Sequence, residues 1–194
     1  MRAPADVALR HDLPLPPMLF LPLQRWPFIL SRLKLRPCPH CSTIGTLNAH
    51  GYLRGYGEAS SCVIRARRIF CSNRGSRPGC GRTHSFFPPN IIPAFQFLAE
   101  LLWRFLSLLL LGATLRGAFL SCFGMRDTGR AYGLWKRCLK AQLLIRHRLT
   151  MRCHPPPSKQ QRPFLQVLEH LVQAFPNSLC PIAAYQEYFG VAFL

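Results

Sequence analysis

Residues 38–41 read CPHC, and residues 71–80 read CSNRGSRPGC. Two cysteines spaced C-x2-C can curl around one metal ion with backbone N–H groups turned toward the sulfurs. Cys71 and Cys80 supply a second pair, although eight residues lie between them where two are usual. That insert, SNRGSRPG, consists of turn-forming residues and can loop outward. Cys38, Cys41, Cys71 and Cys80 are therefore the expected ligands of one Zn2+, in a closed tetrahedral site with no open position for catalysis. A block this small has little core of its own, so the ion would contribute directly to folding. Cys62 is the rival ligand. It alternates with Ile64 and Ala66 along a strand-like run, which suits a buried thiol better. His40, His50 and His84 are also at hand, but lone histidines beside a metal site are more often surface groups. Cys122, Cys138, Cys153 and Cys180 fall at helical or terminal positions and read as core or incidental thiols.

Around these cysteines the chain divides by composition. Residues 1–36 are Pro-rich and apolar, the pattern of an extended arm with a short helix over 28–35. Residues 37–90 are rich in Gly, Cys and Arg with short β-like runs, which suits the strands of a zinc ribbon, and Pro88 and Pro89 close the block. Residues 91–153 read as helical. One helix runs over 93–111 with Pro93 in its first turn, and a second covers 114–123. A third, capped by Asp127 or Thr128, continues to about Leu149. The run PPP at 155–157 ends this region, and the tail 154–194 carries an amphipathic helix over 163–174 and a shorter one around 181–189. The expected fold class is α+β: a small zinc-ribbon β module followed by a helical, helix–turn–helix-like domain.

The net charge is +18, from 25 Lys and Arg against 7 Asp and Glu, and only four of the basic residues are Lys. An Arg-heavy chain with a pI of 10.6 points to a polyanionic partner, because the guanidinium fork matches phosphate oxygens and guanine edges. A GC-rich genome accounts for part of the preference for Arg but not for the shortage of acids. The excess is concentrated in two blocks. Residues 31–90 hold ten basic residues and one acid, Glu58, and residues 112–153 hold nine basic residues and one acid, Asp127. Such blocks read as two contact surfaces flanked by packing segments.

The opening MRAPADVALRHD lacks an uninterrupted apolar stretch, and prolines break the apolar run 13–30, so no secretory signal is expected. Nine cysteines in a reducing compartment then point to metal rather than disulfides. FLAELLWRFLSLLLL at 97–111 is apolar, but Glu100 and Arg104 interrupt it, and a membrane-spanning helix needs about 20 apolar residues. A buried core helix is expected there.

Within the first basic block, Arg65, Arg67 and Arg68 precede the second cysteine pair and Arg82 follows it. Arg65 and Arg67 alternate along the run, so both are expected to leave the Cys62/Ile64 face and hold phosphates. In the second block, a helix–turn–helix would put its second helix in the major groove. That helix would bring Arg126, Arg130, Lys136, Arg137 and Lys140 to DNA, with Tyr132, Trp135, Leu139 and Leu143 as its core stripe. The turn is longer than in compact motifs of this kind, and Gly129 and Gly133 weaken the helix start.

The succession CPHC, RARRIFCSN, CGRTHSFFP resembles the N-terminal zinc ribbon of bacterial insertion-sequence transposases. In that family a Cys pair, an Arg-rich strand, a Cys and a closing CGRTFS-like segment follow one another. GMRDTGRAYGLWKRCLKAQLLIRHRL, residues 124–149, is similar to the helix–turn–helix segment that follows the ribbon. The resemblance covers roughly residues 37–150 and implies binding to double-stranded DNA at element ends. Transposases of this kind cut DNA with a carboxylate cluster holding two metal ions. Here the seven acids are Asp6, Asp12, Glu58, Glu100, Asp127, Glu169 and Glu187, in no such pattern. The expectation is a DNA-binding portion without its catalytic domain. It would not be an enzyme and would have no small-molecule substrate. It would work in the cytoplasm on the nucleoid, with a second copy or a transposase as its protein partner. Two other readings stand beside it. One is an RNA-binding zinc-ribbon protein, which would favour exposed aromatics where Trp103, Phe105, Tyr132 and Trp135 fall on core faces. The other is a non-functional or membrane-associated remnant.

Overall fold

A computed structural model describes residues 18–56, 62–76, 78–124 and 127–194. The fold is α+β, and the chain forms two compact units. Of the described residues, the first contains those from 18 to 91 and 186–192, and the second those from 92 to 185 and 193–194.

The first unit is built on a sheet of order β1-β4-β3-β2. Its strands are β1 (Met18–Phe20), β2 (Leu47–Tyr56), β3 (Cys62–Cys71) and β4 (Thr83–Phe87). β2, β3 and β4 are antiparallel neighbours, and β1 adds to β4 in parallel, with Leu19 opposite Phe86. The Pro-rich stretch is thus more than an arm. It supplies β1, the helix α1 (Trp26–Ser31) and a 3-10 turn at Leu33–Leu35. Leu21, Trp26, Ile29 and Leu33 from this stretch pack with Leu47, Ile69, Phe86, Cys38 and Cys71 in one buried cluster. The indole N–H of Trp26 donates to the Leu21 carbonyl at 3.1 Å, which satisfies the ring's polar atom inside that cluster. The three antiparallel strands cannot cover their own inner face, and the segment before the first cysteine pair covers it.

The register of β3 overturns one expectation. Leu53 pairs with Ala66 and Arg54 with Ile64, so β3 has one extra residue at Arg65. From there to the strand end the phase is set by Ile69 and Cys71, both fully buried. Cys62 and Ile64, expected inside, are exposed, and Arg65, expected outside, is only 8% exposed. Its side-chain stem lies against Gly55 on β2, where any Cβ would collide with it.

The second unit contains α2 (Ala99–Leu110), α3 (Leu115–Phe123), α4 (Thr128–Thr150) and α5 (Pro163–Ala174). A last helix, α6 (Pro181–Phe189), is divided between the units at Gln186. α2 starts at Ala99 rather than at Pro93, because Ala94 takes a positive φ of 64° and Phe95 closes a turn onto Ile92. Its buried positions Ala99, Leu102, Phe105, Leu106 and Leu109 recur at helical spacing. Thr114 caps α3 by accepting from Gly117 N–H at 3.1 Å, and Asp127 caps α4 by accepting from Arg130 N–H at 3.1 Å. Gly124 ends α3 with a φ of 65°, the left-handed conformation that favours glycine. No described helix is long and apolar enough to cross a membrane.

The buried stripe of α4 differs from the expected one. Ala131, Leu134, Cys138, Ile145 and Leu149 are buried, whereas Tyr132 is 48% exposed and Leu143 is 77% exposed. Two apolar stripes share this helix. The one containing the small residues Ala131 and Cys138 is the buried one.

Candidate metal centre and basic surfaces

The sulfurs of Cys38, Cys41, Cys71 and Cys80 all lie within 4.8 Å of one another. The Cys38–Cys80 and Cys41–Cys71 sulfur pairs are each 3.7 Å apart. A tetrahedral tetrathiolate with metal–sulfur bonds of about 2.3 Å has sulfur–sulfur edges of about 3.8 Å. The residues therefore fit a single metal ion, with every ligand supplied by the chain.

Local sequence explains each knuckle. Cys38 N–H donates to the Thr43 carbonyl at 3.1 Å, and Ser42 N–H donates back to the Cys38 carbonyl at 2.8 Å. Ser42 takes a φ of 57°, which curls the chain so that Cys38 and Cys41 face inward. The His40 N–H points at the Cys38 sulfur at 3.4 Å. In the second knuckle the Cys80 N–H donates to the Cys71 sulfur at 3.3 Å, and the Gly81 N–H donates to the Cys71 carbonyl at 3.0 Å. The long insert loops out between Ser72 and Gly79. It brings the chain back so closely that a Cβ on Gly79 would lie 2.6 Å from the Ser72 carbonyl carbon.

The electrostatics of the four thiols are unequal. Burial pushes the Cys38 thiol up to about 12, whereas the Thr43 hydroxyl and backbone N–H hold Cys41 down to about 6. The Thr46 hydroxyl sits 3.1 Å from the Cys71 sulfur. A bound cation would deprotonate all four sulfurs, and these donors would then face developed negative charge.

One neighbour that the spacing does not signal is His84. It is buried, not a surface group, and its Nε2 lies 3.6 Å from the Cys38 sulfur. Burial, with His40 and Arg82 nearby, lowers its pKa to about 4. The neutral ring stacks on His40 with centroids 4.8 Å apart. The period-2 pattern His84, Phe86 in the strand after Cys80 is the signal that places it inside. Cys62 lies outside the sulfur cluster and is exposed.

The basic residues divide sharply. Arg65 is buried, and that burial lowers its pKa. Arg67 is half-buried, with its guanidinium 4.1 Å above the Tyr52 ring, and Arg68 is half-buried. Arg82 is exposed and donates from Nη1 to His40 Nδ1 at 3.1 Å. Arg54 and Arg74, not singled out by the sequence, are exposed in the same unit. In the second unit Arg130, Lys136, Arg137 and Lys140 are exposed on α4. Arg130 makes an ion pair with Asp127 at 3.0 Å, and Arg137 lies 4.8 Å above the Phe95 ring. Arg126 lies outside the described residues.

Set against protein-family models, curated proteins and solved structures, the chain matches none.

Proposed function

We propose that this chain is a zinc-dependent DNA-binding protein of transposase origin that contributes recognition and no chemistry. The observation carrying the reading is the convergence of four sulfurs within 4.8 Å of one another, two pairs of them 3.7 Å apart, beside a basic sheet. Zinc is the ion best suited to four thiolates in a closed tetrahedral site. Its role would be to lock the two knuckles together, so that Arg54, Arg74 and Arg82 are held at fixed positions toward phosphates. The second surface is the exposed side of α4. Arg130, Lys136, Arg137 and Lys140 are exposed there, and Gly124 ends the helix before it; on a helix–turn–helix reading this side of α4 would enter the major groove. The seven acids scattered along the chain support leaving DNA cleavage out of the reading. On this reading the protein works on the nucleoid, with a transposase or a second copy beside it.

Metal analysis of the purified protein joined to a salt titration of binding tests the proposal. One zinc per chain, and an affinity for duplex DNA that falls steeply with salt and exceeds that for RNA, is the expected result. A folded sample without metal, or a preference for RNA over duplex DNA, would overturn it.

A further inference from the structure

The second unit contains a cleft of about 600 Å3, bounded by the end of α2, the start of α3, the first turns of α4 and the segment before α5. That volume lies within the roughly 300–1,000 Å3 of small-molecule sites. Leu109 and Leu165 line it with apolar surface, and Tyr132 and Trp135 line it with aromatic surface. Tyr132 and Trp135 are three residues apart and share one side of α4. Trp135 is braced edge-on by the buried Phe164 ring, with centroids 5.3 Å apart and planes at 88°. Gln160 and Arg162 add an amide and a guanidinium. The Gln160 main-chain carbonyl accepts from Gln166 Nε2 at 2.8 Å, which ties that segment to α5. Arg162 forms no ion pair with any described residue. No acidic side chain among the described residues lines the cleft.

We infer that this cleft holds an unpaired nucleobase with its phosphate. The aromatic pair offers a stacking wall for a planar ring, Gln160 can read a hydrogen-bonding edge, and Arg162 is a free cation for phosphate. An apolar peptide side chain would use the aromatic wall but leave Arg162 and Gln160 without a role. The exposed bases of α4, Arg130 and Lys136 among them, favour a ligand that belongs to a polyanion. The expected core position of Tyr132 gave no hint of this. The ring is left at the cleft because Ala131 and Leu134 take the buried side of the helix.

The test uses the purified full chain. Its tryptophan fluorescence is followed during titration with adenosine monophosphate. Affinities are then compared for a fully paired duplex and the same duplex with one extrahelical base. Saturable binding of the mononucleotide, and about 10-fold tighter binding of the bulged duplex, are expected. Tyr132→Ala should abolish the preference without changing paired-duplex affinity, and Tyr132→Phe should restore it. Arg162→Gln should weaken the monophosphate more than adenosine. Equal affinity for the two duplexes, a preference that survives Tyr132→Ala, or N-acetyltryptophan competing as well as the nucleotide would each overturn the inference. Mononucleotide binding without paired-duplex binding would leave the cleft assignment intact and defeat the duplex-binding reading instead.

Discussion

Replacing Gly79 with Ala places one methyl group where the second knuckle has no room for it. The new Cβ would sit 2.6 Å from the Ser72 carbonyl carbon, 2.9 Å from the Cys71 sulfur and closer still to the Ser72 carbonyl oxygen. None of these is the far end of a flexible side chain, so the backbone between Ser72 and Cys80 must open by about 0.5 Å or more. Metal–ligand distances tolerate only about 0.2 Å. The displaced atoms belong to the segment whose Cys80 N–H bonds the Cys71 sulfur, so the shift reaches the cluster directly. Overpacking of this kind costs about 1–3 kcal/mol, offset by roughly 0.4–1 kcal/mol from the stiffer unfolded chain. The middle of both ranges leaves about 1.3 kcal/mol, so at about 1.4 kcal/mol per factor of ten the metal should bind roughly 10-fold more weakly. Chelator competition measures the loss, and the visible spectrum of the cobalt-loaded protein reports the distorted tetrahedron. Gly133→Ala is the control. It lies in α4 with nothing within 4 Å of the added Cβ. Unchanged metal affinity and an unchanged cobalt spectrum in Gly79→Ala would refute the packing argument at the second knuckle.

Cys38→Ser and Cys71→Ser should each release the metal and unfold the 37–90 block, whereas Cys62→Ser should keep full metal content; elemental analysis with circular dichroism distinguishes the three, and metal loss in Cys62→Ser with retention in Cys80→Ser would reverse the ligand assignment. Removing the metal by chelation should melt the sheet unit at lower temperature than the helical unit, seen as two transitions in calorimetry where the loaded protein keeps the sheet unit intact longer. Arg130→Ala should weaken duplex binding and lower the magnitude of the salt slope by about one, with zinc content unchanged and stability altered by less than about 1 kcal/mol, because its ion pair with Asp127 is exposed. Arg65→Ala should behave oppositely, lowering the melting temperature while leaving the salt slope unchanged, since its side chain is buried against Gly55. Gly133→Ala should raise stability by up to about 1 kcal/mol through helix propensity alone, read as a higher melting temperature.

Local signals survive folding where a single residue's chemistry sets the outcome. Thr114 and Asp127 mark two helix starts because each side-chain oxygen meets an orphan backbone N–H wherever the helix lies. Pro163 and Pro181 open α5 and α6 for the same local reason, their rings being compatible with a first helical turn. Pro93 illustrates the limit. The same residue type does not open α2, because Ala94 and Phe95 close a turn first. The cysteine pairs were legible because C-x2-C geometry is local and the remaining pair had few rivals. His84 reads as a surface group when taken alone, although its alternation with Phe86 along β4 carries the signal of an inner face.

What depends on phase was left open by composition. In β3 the apolar set Cys62, Ile64 and Ala66 and the alternating set ending in Ile69 and Cys71 both look like an inner face. In α4 the stripe of Tyr132 and Leu143 and the stripe of Ala131 and Cys138 both look like a core. Composition and spacing alone carry the α+β class, the sulfur quartet, the start of α4 near Asp127 and the charge. Tertiary structure decided which face of β3 and of α4 is buried, and with it which cations are exposed. The physical reason is that a side chain's chemistry travels with the residue, whereas its direction depends on the register of a partner strand and on how closely a neighbouring helix can approach.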